Sequence, residues 1–62
     1  MAEGRYSTGE AARELGVSRD SLIAALRYGA PDASERIGGR RAFSDRDLER
    51  LRGWYLERRN NR

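Results

Sequence analysis

Every one of the thirteen basic residues in this 62-residue chain is an arginine. Arginine carries a planar fork of donors that matches phosphate oxygens and the edge of guanine two at a time, which the point charge of lysine does not. Ten carboxylates offset most of that charge and leave a net +3. A genome rich in G and C also favours arginine, so composition only leans toward a nucleic acid, and position has to decide. Other chemistries are poorly provided for. The chain has no histidine and no cysteine, which removes the commonest general base and metal ligand, thiolate metal sites and any disulfide framework. Catalysis by carboxylates needs two of them converging in a sheltered pocket with separated pKa values. Here the acids fall at helix starts or beside arginines on helix faces. Gly38-Gly39 lacks the lysine and the following helix register of a phosphate-cradling loop. No catalytic residue, metal or cofactor is expected.

The elements that must position the arginines are short. A domain of this length buries only about 60% of the surface its unfolded chain exposes, so the core is thin and a deep cleft is not expected. No apolar run approaches the roughly 20 residues of a membrane span. The opening "MAEGRYSTGE" has an acid and no hydrophobic segment where a signal peptide needs one. In "STGE", Ser7 can cap a helix while Glu10 reaches back to the cap amide. Ala11, Ala12 and Leu15 follow at helical spacing and Gly16 can leave the helix in a left-handed conformation, which predicts a helix over 8–15. Ser18 caps the next, whose apolar stripe is Leu22, Ala25 and Leu26 and whose stop lies near Gly29.

Beyond Pro31, Ile37 and Phe43 flank Gly38-Gly39, a pair suited to the positive φ values of a tight hairpin turn, so two short strands are predicted. Arg40 and Arg41 sit at or beside the tip, with Arg36 before it. Two adjacent guanidiniums there have no core to cover and repel one another unless a ligand takes them. "SDRD", Ser44 to Asp47, opens a last helix with a buried stripe of Leu48, Leu51 and Tyr55. Trp54 lies off that stripe, as core edge or interface anchor, and "ERRNNR" reads as a polar tail.

The spacing Ala12-x₃-Gly16-x₅-Leu22 places a small residue in the first helix, a glycine in the turn and an aliphatic in the second. That is what two closely crossing helices of a helix-turn-helix require. A ligand-free helical hairpin would also accept small residues, but the outer face of the second helix carries Arg19, Asp20, Ser21, Ala24 and Arg27, all short or able to hydrogen-bond. Such a face can enter a major groove. Ile23, at the margin of the apolar face, either packs under the hairpin or meets a thymine methyl.

"YSTGEAARELGVSRDSL" and then "RIGGRRAFSDRDLERL" resemble the winged helix-turn-helix of the MerR family and of phage excisionases and related small DNA-binding proteins, over residues 6–56. The resemblance implies a mainly helical fold with a β-hairpin wing, in the order α, turn, α, β, β, α. It implies double-stranded DNA as the partner, with the second helix (Ser18, Arg19, Asp20, Ser21, Ala24, Arg27) in the major groove. The wing (Arg36, Arg40, Arg41) would touch backbone or minor groove. The domain is expected to span 6–58, with flexible termini at 1–5 and 59–62.

Two departures shape the functional expectation. MerR proteins carry a long dimerisation helix and an effector domain past this point, and neither is seen here. They also follow the cap with threonine, leucine, arginine and an aromatic, where this chain has Ser21, Leu22, Ile23 and Ala24, its arginine and aromatic coming later as Arg27 and Tyr28. No effector sensing is expected. The closer expectation is a small excisionase-like regulator or architectural factor, bacterial or phage-encoded, cytoplasmic and nucleoid-associated. Neighbouring copies would bind side by side on DNA, with Trp54 or the tail between them. The alternatives are a protein-interaction module on the winged fold and the recognition domain of a larger regulatory or phage packaging protein, since small terminase subunits begin similarly.

Overall fold

Two short helices, α1 (Thr8–Leu15) and α2 (Arg19–Arg27), begin and end by the same devices. They belong to a computed structural model that describes residues 4–60. At the start of α1 the Ser7 amide donates to Glu10 Oε1 at 2.9 Å and the Glu10 amide donates to Ser7 Oγ at 3.2 Å, which closes the expected capping box. The amide bond from Ser7, and then its hydroxyl, hold the Glu10 carboxyl below its ordinary pKa. α1 ends where Gly16 turns left-handed at φ 75°. There the Val17 amide donates to Ala12 O at 3.0 Å and the Gly16 amide to Arg13 O at 3.1 Å, satisfying carbonyls the helix would leave open. Ser18 caps α2 by accepting the Ser21 amide at 3.0 Å. Gly29, at φ 100°, closes it as Ala30 N donates to Ala25 O at 3.0 Å.

The wing is an antiparallel hairpin of β1 (Glu35–Ile37) and β2 (Arg40–Ala42) in the register Glu35↔Ala42, Arg36↔Arg41, Ile37↔Arg40. Both turn glycines have positive φ, 59° at Gly38 and 79° at Gly39, as a two-residue hairpin turn matched to strand twist requires. Phe43 lies one residue past β2 and forms a bridge with Tyr6, each amide donating to the other's carbonyl at 2.8 Å. A segment just before α1 is thereby stitched to the base of the wing, and Arg5 Nε adds an ion pair to Glu35 at 2.9 Å.

α3 (Asp45–Asn60) is longer than the sequence pattern suggests. Leu48 and Leu51 are buried and Tyr55 half-buried, as the stripe predicts, but the helix continues through Glu57 to Asn60, residues read from the sequence as a polar tail. An aromatic pair holds that last stretch. Trp54 packs edge-on against Tyr55, ring centroids 5.2 Å apart, and the Arg58 guanidinium lies 4.7 Å from the Trp54 ring. Trp54 is therefore a core-edge residue engaged within its own chain.

The core lies where the three helices meet the base of the wing: Ala11 and Ala12 from α1, Leu22 and Ala25 from α2, Phe43, and Leu48 and Leu51 from α3. Alanines at the crossing let α1 approach its neighbours closely, and the mainly helical winged arrangement expected from the sequence is the one observed. Two glycines make opposite predictions. At Gly16 an added Cβ meets no atom within 4 Å but must sit at φ 75°, so Gly16→Ala lowers stability by about 1–2 kcal/mol through backbone strain alone. Gly53, inside α3, also has nothing within 4 Å of an added Cβ and an ordinary φ, so Gly53→Ala raises stability by about 1 kcal/mol. Urea midpoints by circular dichroism should move in opposite directions.

Candidate nucleic-acid interface

Helix α2 buries Leu22 and Ala25 and turns the other way Arg19, Asp20, Ser21, Ala24 and Arg27, all exposed. At 100° per residue, Asp20, Ala24 and Arg27 lie opposite the buried stripe, while Arg19 and Ser21 flank them. Ala24 leaves the middle of this face low, so its neighbours can reach a surface laid against it. Ile23 is half-buried at the margin. The two serines do different things. Ser18 spends its hydroxyl on the cap, accepting the Ser21 amide and donating to Ser21 Oγ at 2.9 Å. Ser21 thereby keeps its own hydroxyl hydrogen for an outside acceptor.

Arg19 leads away from that face into a groove of about 610 Å³ lined by Ser7, Thr8, Gly9, Arg19, Arg36, Gly39, Arg40 and Arg41. Four guanidinium-bearing residues from α2 and the wing thus share one concavity, and among the described residues no carboxylate lines it. The floor is the first turn of α1, where the amides of Thr8 and Gly9 precede any intrahelical acceptor and the helix dipole is positive. This participation of α1 is not visible in the pattern of charges. The available signal is Gly9, a poor helix former in the second position of a capped helix. A Cβ built there would make only an ordinary contact with Arg19 Cδ, at 3.8 Å, so the arginine stem runs close beside the start of α1.

The wing arginines are not equivalent. Alternation along the strands puts Arg36 and Arg41 on one face of the hairpin and Ile37 and Arg40 on the other. Two like charges directly opposite are destabilising, and the structure relieves them internally: Arg41 Nε donates to Asp32 Oδ1 at 2.8 Å. The supposition that only a ligand could reconcile adjacent guanidiniums at the tip is thereby corrected, because Asp32 supplies Arg41 with a partner. Arg36 and Arg40 are exposed. The site residues therefore form two groups, with Arg19, Arg36, Arg40 and Arg41 around the groove and Asp20, Ser21, Ala24 and Arg27 on the outer face of α2.

Among the described residues no cluster of histidine, cysteine or carboxylates could hold a metal ion, and no helix is long and apolar enough to cross a membrane. No curated protein and no solved structure matches the chain. A family model described as MerR HTH family regulatory protein matches residues 6–54. The matched span begins at the Tyr6 bridge, takes in α1, α2 and the wing and ends in α3 at Trp54, and the chain belongs to the MerR helix-turn-helix family of regulatory proteins.

Proposed function

We propose that the chain is a sequence-specific double-stranded DNA-binding protein, acting as a small regulator or architectural factor, that lays α2 in the major groove and its wing on the adjoining backbone. The observation that carries this reading is the joining of two surfaces: the acid-free groove of Arg19, Arg36, Arg40 and Arg41 over the first turn of α1, and beside it the low polar face of α2. The first suits phosphates, which want guanidinium forks and helix N-termini. The second suits base edges. Arg27 can pair with guanine O6 and N7, Asp20 can accept from cytosine N4, Ser21 can serve either partner and Ala24 can meet a thymine methyl.

A single module of this kind buries only about 600–1,000 Å² of protein surface on DNA. In this reading, neighbouring copies on repeated sites supply the affinity that one copy lacks. The test is salt. With about three phosphates neutralised by Arg19, Arg36 and Arg40, log Kd should change by about 3 units per decade of salt, measured by fluorescence anisotropy on a labelled duplex. A protein-interaction module would bind duplexes weakly and without that slope, and such a result would remove the DNA reading.

A further inference from the structure

Ile37 is the only large apolar residue on the wing, and it is 58% exposed. The core makes no use of it. The register places it directly across from Arg40, the two residues immediately flanking Gly38-Gly39. Directly opposed side chains have Cβ atoms about 4.5–5.5 Å apart, so an apolar group and a guanidinium stand side by side. The turn beyond them carries no side chain, and nothing lies within 4 Å of where a Cβ on either glycine would be. The tip is thus bare at its end and flanked by one apolar and one cationic group.

An apolar group beside a guanidinium suits the chemistry of the minor groove. Its floor offers only acceptors at an A·T pair, while a G·C pair adds the guanine 2-amino donor. A guanidinium is drawn to the narrow, strongly negative groove of A·T runs. An isoleucine pressed to the floor tolerates A·T but at G·C buries the amino group with no acceptor to replace water, which is costly. Resting on the DNA-binding reading above, we infer that Ile37 and Arg40 form a minor-groove reader that selects A·T over G·C pairs beneath the wing, separately from the bases α2 contacts. Arg40 supplies attraction and Ile37 supplies the penalty that discriminates.

Inosine tests this directly, because an I·C pair presents the major groove of G·C but lacks the 2-amino group. On a duplex recovered by selection from a random pool, pairs are replaced one at a time by A·T, G·C or I·C and binding is measured. At the pairs under the wing, A·T and I·C should bind alike and G·C about tenfold more weakly, the effect of one mismatched pair. Ile37→Thr keeps a β-branched strand residue and provides a hydroxyl that accepts from the amino group, so it should bring G·C close to A·T. Binding in which I·C behaves like G·C would overturn the inference, since the major groove would then be the surface read. Retention of the G·C penalty by Ile37→Thr would overturn it as well, because groove width sensed by Arg40 would suffice. Loss of salt-dependent binding to every duplex is a different result, which removes the DNA reading itself.

Discussion

Asp47→Ala should lower the stability of the domain by about 4 kcal/mol. Asp47 is 2% exposed, the one buried charged residue among those described. Its Oδ2 accepts the Ser44 amide at 2.9 Å, the Ser34 amide at 3.1 Å and the Ser34 hydroxyl at 2.9 Å, while its own amide donates to Ser44 Oγ at 3.1 Å. One carboxylate oxygen therefore closes the capping box that Ser44 opens at the start of α3 and fastens the entry of the wing to it. Alanine keeps the residue-47 amide that Ser44 Oγ caps but leaves the two serine amides short of an acceptor at about 1–3 kcal/mol each. A total near 4 kcal/mol compares with a stability of roughly 3–9 kcal/mol for a chain this size. Asp47→Asn should cost much less, because all three bonds converge on a single oxygen that the amide carbonyl can replace.

The same site sets an acid limit. Burial pushes the Asp47 carboxyl up, but the bonds from Ser44 and Ser34 outweigh it and hold its pKa below the ordinary value. A carboxyl depressed in the folded state stabilises above its unfolded pKa, about 3.9, and that contribution disappears as pH falls from there through the folded value. Urea midpoints of the parent should therefore drop below about pH 4, whereas those of Asp47→Asn should lack this component. An Asp47→Ala protein with the parent's midpoint at pH 7 would show that the network is dispensable.

The elements legible in the sequence are those whose signals act within a few residues. Ser7 with Glu10, Ser44 with Asp47, Gly16 after α1 and Gly38-Gly39 between the strands each report local backbone chemistry, and each occurs where its pattern places it. What the pattern hides is what folding brings together from a distance. Ser34 reaches Asp47 across 13 residues and Arg41 reaches Asp32 across nine. The first makes an ordinary-looking cap into a buried anchor, and the second takes up a charge that seemed to need a ligand. The Tyr6–Phe43 bridge and the approach of Gly9 to Arg19 are of the same kind. The outer face of α2 was readable because helical periodicity alone sorts Leu22 and Ala25 from Arg19, Asp20, Ala24 and Arg27. That α1 floors the basic groove was not, since no periodicity relates Ser7 to Arg40.

Removing charge from the groove and removing a base contact from α2 should give two different kinds of defect, and the contrast is the strongest test of how the site is divided. Arg19, Arg36 and Arg40 are exposed, so their joint replacement by alanine should leave the fold intact while taking the formal net charge from +3 to zero. Arg41 is left in place because its loss would strand Asp32. If the three lie against the phosphate backbone, the salt slope becomes shallower by about 3 units, and affinity at low salt falls by roughly 10²–10³-fold on every sequence alike, apart from the pairs beneath the wing where Arg40 favours A·T. Arg27→Ala, at the centre of the outward face, should instead keep the parent's slope and its affinity for random duplex. It should lose about 10- to 100-fold on the selected site, the worth of one bidentate contact to guanine. Anisotropy titrations of both variants on selected and random duplexes, over a series of salt concentrations, separate the two effects. A triple variant with an unchanged slope would mean that the groove does not follow the backbone. An Arg27→Ala protein that weakens equally on both duplexes would move Arg27 from the bases to the phosphates and leave sequence reading to Asp20 and Ser21.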